Sequence, residues 1–311
     1  MRKIFLCLLL ILAQVIFAGS EEFQLPEIDY DKLNFGSDDT FEIVTWNIQN
    51  FPKSEQTVTY AAGIISGIDP DLVALQEIKS DSAFFALVNL LNETNGSIDW
   101  SGFKANSDEW DQDLAFIYKA ETVKVEQVYE IFNDNEDNYI FPRSPLVIKF
   151  RYQEIPIVAV NNHLKAMSGE ENEIRRRLAI EKLKLYFEDN FHHDNLILLG
   201  DLNDHLTDPK QENVFQLFLD DSQNYRFADY FIAADTTADW SYPYWKYRGH
   251  IDHILISNEL FDEFDSKSSD IKTITVDKYM QGGEDARYKY ITDHRPVALK
   301  LKFHPVIIEK R

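Results

Sequence analysis

The sequence predicts an α/β domain over residues 41–305, because patterns typical of strands and of helices alternate through almost all of that range. Short apolar runs indicate strands, and apolar residues at intervals of three and four indicate helices. With 311 residues, 44% hydrophobic and 14% aromatic, the chain can bury a sizeable core. No change in composition divides it, so composition allows one doubly wound sheet or two halves with a sheet each.

The individual elements follow from these patterns. The predicted strands cover residues 42–46, 72–75, 114–118, 146–150, 155–161, 195–199, 251–256 and 297–303. The predicted helices cover residues 59–68, 82–91 and 170–187. The last helix has the clearest pattern, because Ile174, Leu178 and Leu185 recur at helical intervals.

Residues 1–20 have the pattern of a secretory signal peptide. Arg2 and Lys3 precede an apolar run that only Gln14 interrupts, and small residues follow at 18–20. The run is shorter than the roughly 20 apolar residues that span a membrane, so a signal peptide is favoured over an uncleaved anchor. We therefore expect a secreted or periplasmic protein, with an acidic lead-in at 21–40 and a tail at 306–311.

The formal net charge of −22 opposes nonspecific attraction to nucleic acid or to an anionic membrane. Bound cations and local basic residues can reverse the field at one site. The only cysteine, Cys7, lies in the apolar leader, so the rest of the chain forms no disulfides. We expect a monomer without stable membrane insertion after signal cleavage, and no protein partner is indicated.

Polar residues stand at the edges of six apolar runs. The segments are residues 45–50, 75–77, 161–165, 199–204, 250–253 and 292–296. Each has an ordinary alternative as a turn or a surface residue, but the strands of a sheet gather such edges into one cleft. The six together predict an active site.

The residue types fit phosphoester hydrolysis. Glu77 and Asp293 offer the hard oxygen ligands that Mg²⁺ prefers, with Mn²⁺ or Ca²⁺ as alternatives. Asp252 is a candidate to orient His294, which as a general base could take a proton from water. Asp201 could position that water or share the base role. Three further side chains can donate hydrogen bonds to phosphate oxygens: Asn47, Asn203 and His163.

The ordered segments resemble the motifs of the endonuclease/exonuclease/phosphatase superfamily, and the opening segments are most similar to its deoxyribonuclease I-like branch. The matching residues are Asn47-Ile48-Gln49, Gln76-Glu77, His163-Leu164-Lys165, Gly200-Asp201-Leu202-Asn203, Ile251-Asp252-His253 and Asp293-His294. The resemblance covers about residues 41–303. It implies a four-layer α/β sandwich, in which two packed, mainly antiparallel or mixed sheets are flanked by helices.

The resemblance also implies roles for these residues. Glu77 is the expected principal metal ligand, with Asp293 and Asn47 near the ion. His163 and His294 are the expected histidine pair, with Asp252 behind His294. Asp201 and Asn203 are the residues expected to orient the water and the phosphate. One departure is visible, because the segment 111–116, where the family has a carboxylate supporting the first histidine, offers no clear partner for His163.

Other basic and aromatic residues are weaker candidates. Arg143, in a segment similar to the family's phosphate-contacting arginine, could grip a substrate phosphate, although a surface arginine in a proline turn explains it equally well. Lys79 and Lys165 could also touch phosphates. The aromatic segment 240–248 could stack on bases or pack in the core. The arginines at 175–177 are predicted to form surface ion pairs on their helix.

These observations predict a divalent-metal-dependent phosphodiesterase, with a nuclease acting on DNA or RNA as the preferred function. The alternatives are a sphingomyelinase-type lipid phosphodiesterase, a phosphomonoesterase and a binding module on the same fold. A binding module would not need both histidines and the metal carboxylates, and no convincing apolar hairpin for membrane contact is present. The fold alone does not choose among substrates.

Overall fold

The structure is a computed structural model that describes residues 25–96, 98–106, 112–134, 136–244 and 247–303. The predicted signal peptide and the tail lie outside these residues. Among the described residues, no helix has the length and apolar character needed to cross a membrane.

Twelve strands form two six-stranded sheets in the described part of the chain. The first sheet contains β1 (Phe41–Phe51), β2 (Leu72–Ile78), β3 (Trp100–Lys104), β4 (Asp113–Lys119), β11 (Asp270–Thr273) and β12 (Val297–Leu301). The second contains β5 (Lys124–Glu130), β6 (Leu146–Tyr152), β7 (Ile155–His163), β8 (Asn195–Asp201), β9 (Tyr225–Phe227) and β10 (Asp252–Ser257). Their orders are β11-β12-β1-β2-β4-β3 and β5-β6-β7-β8-β10-β9. Both sheets are mixed, because β1 pairs with β2 and β7 with β8 in parallel, whereas the other pairs are antiparallel.

Helices cover the outer faces of the sheets. The α-helices are α1 (Thr57–Ile68), α2 (Asp81–Asn95), α3 (Glu170–Asn190), α4 (Gln216–Leu219), α5 (Tyr230–Ala234), α6 (Phe261–Phe264) and α7 (Gly283–Tyr290). Short 3₁₀ helices occupy Tyr30–Leu33, Asn258–Leu260 and Val276–Tyr279.

Three apolar clusters separate the four layers. Along β1, Phe41 and Ile43 face the opposite sheet, whereas Val44 and Trp46 face α1 and α2, as the alternation of strand side chains requires. A third cluster joins α3 to the second sheet through residues such as Leu183. This arrangement confirms the predicted four-layer α/β sandwich.

The predicted helices and strands are present, but four strands escaped prediction. β5 lies at a sheet edge and is mostly polar and partly exposed, β9 has three residues, and the edge strands β3 and β11 are also short. The acidic lead-in was expected to precede the domain. Its residues Leu33 and Phe35 are instead buried in the core, and Tyr30 packs so closely on α1 that a Cβ at Gly63 would lie 2.4 Å from its ring.

The strand register places the polar edges beside one another. His163 on β7 pairs with Asp201 on β8, and Asp201 pairs with Asp252 on β10. Gly200 permits the close approach of these strands, because a Cβ there would lie 1.8 Å from the backbone oxygen of Asn162. Its φ of +151° is also a conformation that glycine tolerates best.

Candidate active site

A cleft of about 730 Å³ opens at this edge of the two sheets. It receives side chains from both sheets and from the loops that follow their strands. Its lining includes Gln49, Asn50, Glu77, Gln112, His163, Asp201, Asn203, Tyr242, Tyr244, Asp293 and His294. Most of the predicted site residues therefore meet in one place.

His294 is held between carboxylates. Its Nδ1 lies 2.8 Å from Asp252 Oδ2, and its Nε2 lies 3.7 Å from Asp201 Oδ2. Burial opposes a charge on the ring, but Asp252 and then Asp201 outweigh this and raise the pKa of His294 to about 10. The predicted pairing of Asp252 with His294 is thus present in the structure, and this environment favours the imidazolium.

Asp201 lies at the centre of the site. Its Oδ2 accepts a hydrogen bond from Asn47 Nδ2 at 2.9 Å, and its Oδ1 accepts one from the backbone N–H of Asn203 at 3.1 Å. Burial, followed by repulsion from Asp252, raises the pKa of Asp201 to about 7. A carboxyl group with such a pKa can take up and release a proton near neutral pH.

His163 contacts Asp201 but has no carboxylate of its own. Its Nε2 lies 3.5 Å from Asp201 Oδ2, whereas its buried Nδ1 has no hydrogen-bond partner among the described residues. Asp113, in the segment where a partner was sought, pairs with Lys104 instead. Burial, reinforced by the charge of Arg143, holds the pKa of His163 well below its ordinary value, so the ring is neutral.

Two carboxylates suit a divalent cation. Glu77 accepts hydrogen bonds from Asn47 Nδ2 at 3.2 Å and from the backbone N–H of Asn50 at 2.9 Å. Asp293 accepts one from Gln49 Nε2 at 2.7 Å. Asn47 turns its NH₂ group towards Glu77 and its oxygen towards the N–H of Gln49, at 2.9 Å. In this orientation Asn47 braces the carboxylate, and its predicted contact with an ion stays a prediction.

The concentration of acidic groups supports the fit of a cation. Glu77, Asp201 and Asp293 line one cleft, with Asp252 buried beside them, and after burial the repulsion from Asp252 and then from Glu77 contributes to the raised pKa of Asp201. A divalent cation would relieve this repulsion. Asp201, Asp252 and His294 also lie close enough together to hold a metal, but the imidazolium of His294 opposes one at that position.

Several residues at the cleft have strained backbone conformations. Gln49, Asn50, Glu77 and Asn203 have φ angles of 36°, 51°, 64° and 53°, in a region that non-glycine residues seldom occupy. Each such residue costs roughly 1–3 kcal/mol, which the surrounding hydrogen bonds must offset. The strain supports the assignment of this cleft as the functional site.

Family and fold comparisons agree with this geometry. A model of the Endonuclease/Exonuclease/phosphatase family matches residues 44–294. The chain belongs to this family. Its members are typically phosphoric ester hydrolases and are commonly dependent on divalent metals. The predicted family is confirmed, whereas no curated protein sequence gives a significant match.

Solved structures share the fold. TDP2 from D. rerio, complexed with single-strand DNA product, has a TM-score of 0.62 and 16% identity, covering 86% of this chain and 100% of that chain. The human Nocturnin catalytic domain with bound sulfate has a TM-score of 0.59 and 15% identity, covering 86% and 94%. An endonuclease/exonuclease/phosphatase from Bacteroides vulgatus has a TM-score of 0.60 and 14% identity, covering 85% and 99%. Identities this low establish the common fold alone.

The basic residues predicted to bind phosphate lie at different distances from this family site. Arg143 reaches the cleft edge, where its NH2 group donates to Gln112 Oε1. Lys165 turns aside, because its Nζ donates to the carbonyl of Ala166 at 3.0 Å. Lys79 is exposed and does not line the cleft. The structure therefore supports Arg143 as a candidate more strongly than either lysine.

Asn203 also has a defined place. Its Nδ2 donates to the carbonyl oxygen of Leu164 at 3.2 Å, which ties the loop after β8 to the loop after β7. Gln112, which sequence reasoning missed, donates to Asn50 Oδ1 at 3.1 Å. Gln112 lies within the segment searched for a partner of His163, but only its position after folding shows that it faces Glu77 instead.

The aromatic segment divides between core and cleft. Trp240 packs against the core between the sheets, whereas Tyr242 lies 4.8 Å from the His294 ring, between centroids. Tyr244 follows at 5.9 Å from Tyr242, and Tyr288 at 5.2 Å from Tyr244. The three tyrosines thus form a row leading out of the site. Residues 245 and 246 of this segment lie outside the described residues.

The arginine triplet also divides. Arg177 forms the predicted ion pair with Glu173, at 3.0 Å. For Arg176 the prediction was wrong, because its side chain is buried and its Nε lies 2.7 Å from Asp204 Oδ2. The residue faces the second sheet, which helical spacing alone did not distinguish within three consecutive arginines.

Proposed function

We propose that this protein is an exported, divalent-metal-dependent phosphodiesterase that hydrolyses nucleic acids. The observation that carries the proposal is the convergence of Asp252, His294, Asp201 and His163 beside the carboxylates of Glu77 and Asp293 in one cleft. This set supplies a metal site, a proton acceptor and hydrogen-bond donors for a phosphate. Export is proposed from the apolar leader in the sequence.

The local charges suggest how the proton moves. His294 was predicted to be the general base, but a ring held between Asp252 and Asp201 retains its proton near neutral pH. In our proposal Asp201 accepts the proton from the attacking water, because the pKa of Asp201 lies at about 7. The imidazolium of His294 donates a hydrogen bond to a phosphate oxygen, where negative charge develops. The bond from phosphorus to the leaving oxygen then breaks, and that oxygen takes a proton from solvent.

Glu77 and Asp293 would hold the divalent cation, and Mg²⁺ is the proposed ion. When bound, such a cation supplies neutralisation of charge on a phosphoryl oxygen. The neutral ring of His163 and the amide of Asn203 are placed to hydrogen-bond the phosphate. Arg143 is proposed to contact a phosphate further from the reacting bond.

The row of tyrosines favours nucleic acid over other phosphoesters. Tyr242, Tyr244 and Tyr288 extend from His294, with Lys53 Nζ 3.7 Å from the centroid of the Tyr288 ring. Aromatic side chains stack on nucleobases, and a nearby cation attracts the phosphate backbone. A phosphocholine headgroup or a sugar phosphate would make less use of such a row.

The test is hydrolysis by the purified mature protein, with Mg²⁺, Ca²⁺ or EDTA. The substrates are plasmid DNA, single-stranded DNA, RNA, sphingomyelin vesicles and p-nitrophenyl phosphate. His294→Ala should abolish turnover. The matched control is His193→Ala, because His193 is exposed in the turn before β8, at the end of that strand opposite Asp201.

Metal-dependent cleavage of DNA or RNA that His294→Ala alone removes would support the nuclease. Cleavage of sphingomyelin or of the monoester, but not of nucleic acid, would overturn the proposed substrate and would leave the proposed active site in place. Full activity of His294→Ala, or equal activity in EDTA, would contradict the mechanism.

A further inference from the structure

A second cluster of titratable side chains lies beneath the cleft floor, apart from the reacting groups. Asp229, His250 and His253 are fully or almost fully buried, at 0%, 1% and 0% exposure. His253 directly follows Asp252, and successive strand side chains point to opposite faces. His253 therefore faces away from His294 and packs edge-on against Phe215 and Phe227.

The hydrogen bonds of His253 determine its protonation. Its Nε2 lies 2.9 Å from the backbone oxygen of Asp204, and a carbonyl oxygen can only accept, so Nε2 carries a hydrogen. Its Nδ1 lies 2.5 Å from Asp229 Oδ2, while Asp229 Oδ1 accepts from the N–H of Ile254 at 2.9 Å. An ionised Asp229 beside a doubly protonated His253 satisfies all of these contacts.

The same reasoning opposes a metal here, although the three side chains are of ligating types. His250 Nδ1 accepts the backbone N–H of Ser241 at 3.1 Å, so the ring hydrogen is on Nε2. That Nε2 is the atom that faces Asp229 Oδ2, at 3.1 Å in a poorly aligned contact. A protonated nitrogen does not bind a metal. The cluster is an ion pair with a neighbouring neutral histidine.

This ion pair continues through Asp204 to Arg176. Asp204 Oδ2 accepts from Arg176 Nε at 2.7 Å. Arg176 NH1 donates to the backbone oxygens of Lys165 and Met167, at 2.9 Å each. The chain of contacts therefore joins α3, the loop after β7, the loop after β8 and the start of β10.

We propose that Arg176, Asp204, His253 and Asp229 form a buried ionic network whose role is to position the catalytic segments. The inference rests on the proposed function. Lys165 lies two residues after His163, Asp204 three after Asp201, and His253 one after Asp252. The network thus fixes the spacing of the segments that carry the reacting groups.

The buried charges make the network sensitive to the loss of any one of its side chains. Removing one partner of a buried ion pair leaves an uncompensated charge in a low-dielectric interior. The loops would shift to reach water or another partner. Because a displacement of about 1 Å can lower turnover about 10²-fold, the loss should fall on kcat and leave substrate binding largely unchanged.

The first arm of the test compares replacement of Arg176 with replacement of its neighbour Arg177, which serves as the control. The assay is hydrolysis of bis(p-nitrophenyl) phosphate with Mg²⁺ at 15 °C. It is applied only to variants that circular dichroism shows to be folded at that temperature. Arg176→Met should lower kcat by about 10²-fold with KM within roughly twofold. Arg177→Met, one position along the same helix, should stay within about threefold. Arg176→Lys, which keeps one charge, should be intermediate and serves if Arg176→Met does not fold.

The second arm of the test detects the ion pair between His253 and Asp229 by a measurement that does not depend on enzyme activity. Two-bond ¹H–¹⁵N spectra of the histidine rings at pH 8 should show an imidazolium that is absent in His253→Phe and unchanged by one equivalent of ZnCl₂. A second imidazolium, from His294, should persist in that variant. A neutral His253, or a zinc shift that His253→Phe removes, would overturn the network.

The two arms separate the possible failures. A folded Arg176→Met or Arg176→Lys enzyme with wild-type kcat would overturn the positioning role. A wild type that hydrolyses no phosphoester would remove the proposed function and this role with it, while the spectra would still decide whether the ion pair exists.

Discussion

Asp252 is the residue whose replacement tests the electrostatics of the site most directly. Asp252→Asn keeps the shape of the side chain and removes the charge 2.8 Å from His294 Nδ1. His294 is then left with Asp201 as its remaining close carboxylate partner in the cleft, apart from Asp293, whose Oδ1 lies 3.9 Å from Nε2. We expect a lower pKa for His294 and a less fixed ring.

The magnitude follows from the pKa. A rise of the pKa of His294 from 6.5 to about 10 corresponds to roughly 5 kcal/mol in favour of the imidazolium. Asp252 is the largest of the contributions that raise the pKa, and breaking a buried charged pair costs roughly 3–5 kcal/mol. We therefore expect the metal-free variant to unfold about 5–8 °C below the wild type near pH 6.5.

The pH dependence has a defined sign. A raised pKa in the folded state means that the contribution of His294 is fully present below pH 6.5 and is lost as the pH rises to about 10. Removing Asp252 also lowers the pKa of Asp201, because Asp252 repels the Asp201 carboxylate. The variant therefore pays a smaller free-energy cost for ionising Asp201 at higher pH. Both effects make the stability difference between wild type and Asp252→Asn shrink from pH 6.5 to pH 10.

Two measurements check this expectation. Thermal unfolding in EDTA at pH 6.5 and pH 10 measures the stability difference, with the exposed Asp262→Asn as a control that should change stability by less than about 0.5 kcal/mol. Hydrolysis with Mg²⁺ should show a fall in kcat of about 10²–10⁴-fold for Asp252→Asn. A stability difference that does not depend on pH, or a kcat within threefold of wild type, would refute the reasoning.

Three further predictions concern the metal, the substrate and acid stability. Glu77→Gln should lose the Mg²⁺-induced rise in unfolding temperature seen for the wild type; an unchanged rise would place the ion elsewhere. Tyr288→Leu should raise KM for single-stranded DNA about 10-fold while leaving KM for bis(p-nitrophenyl) phosphate unchanged, because one stacked base contributes roughly 1–3 kcal/mol; equal effects on both would remove stacking. The depressed pKa of His163 means that the wild type loses stability as the pH falls below 6.5, so His163→Gln should flatten urea-unfolding stability between pH 6.5 and 5; an equal slope would contradict a neutral ring.

The sequence predicted the fold and the composition of the site well, for a physical reason. Polar residues at the ends of apolar strands can be read directly, and strand register brings His163, Asp201 and Asp252 side by side. The edge strand β5 was not predictable in this way, because its side chains are mostly polar and partly exposed. The local pattern that defines a central strand is missing where burial is incomplete.

The protonation states and some of the ion-pair partners of the site residues could not be predicted from the sequence, because they depend on the folded structure. The pairing of Asp252 with His294 was predicted, but the proton on that ring depends on Asp201 as well as on Asp252, and the motifs alone do not fix the position of Asp201, 93 residues before His294. Arg176 shows the same limit, because three consecutive arginines look equivalent until α3 is oriented against the second sheet. The reacting groups could be named from the sequence, whereas the charges that tune and position them come from residues that only the packing of two sheets brings into contact.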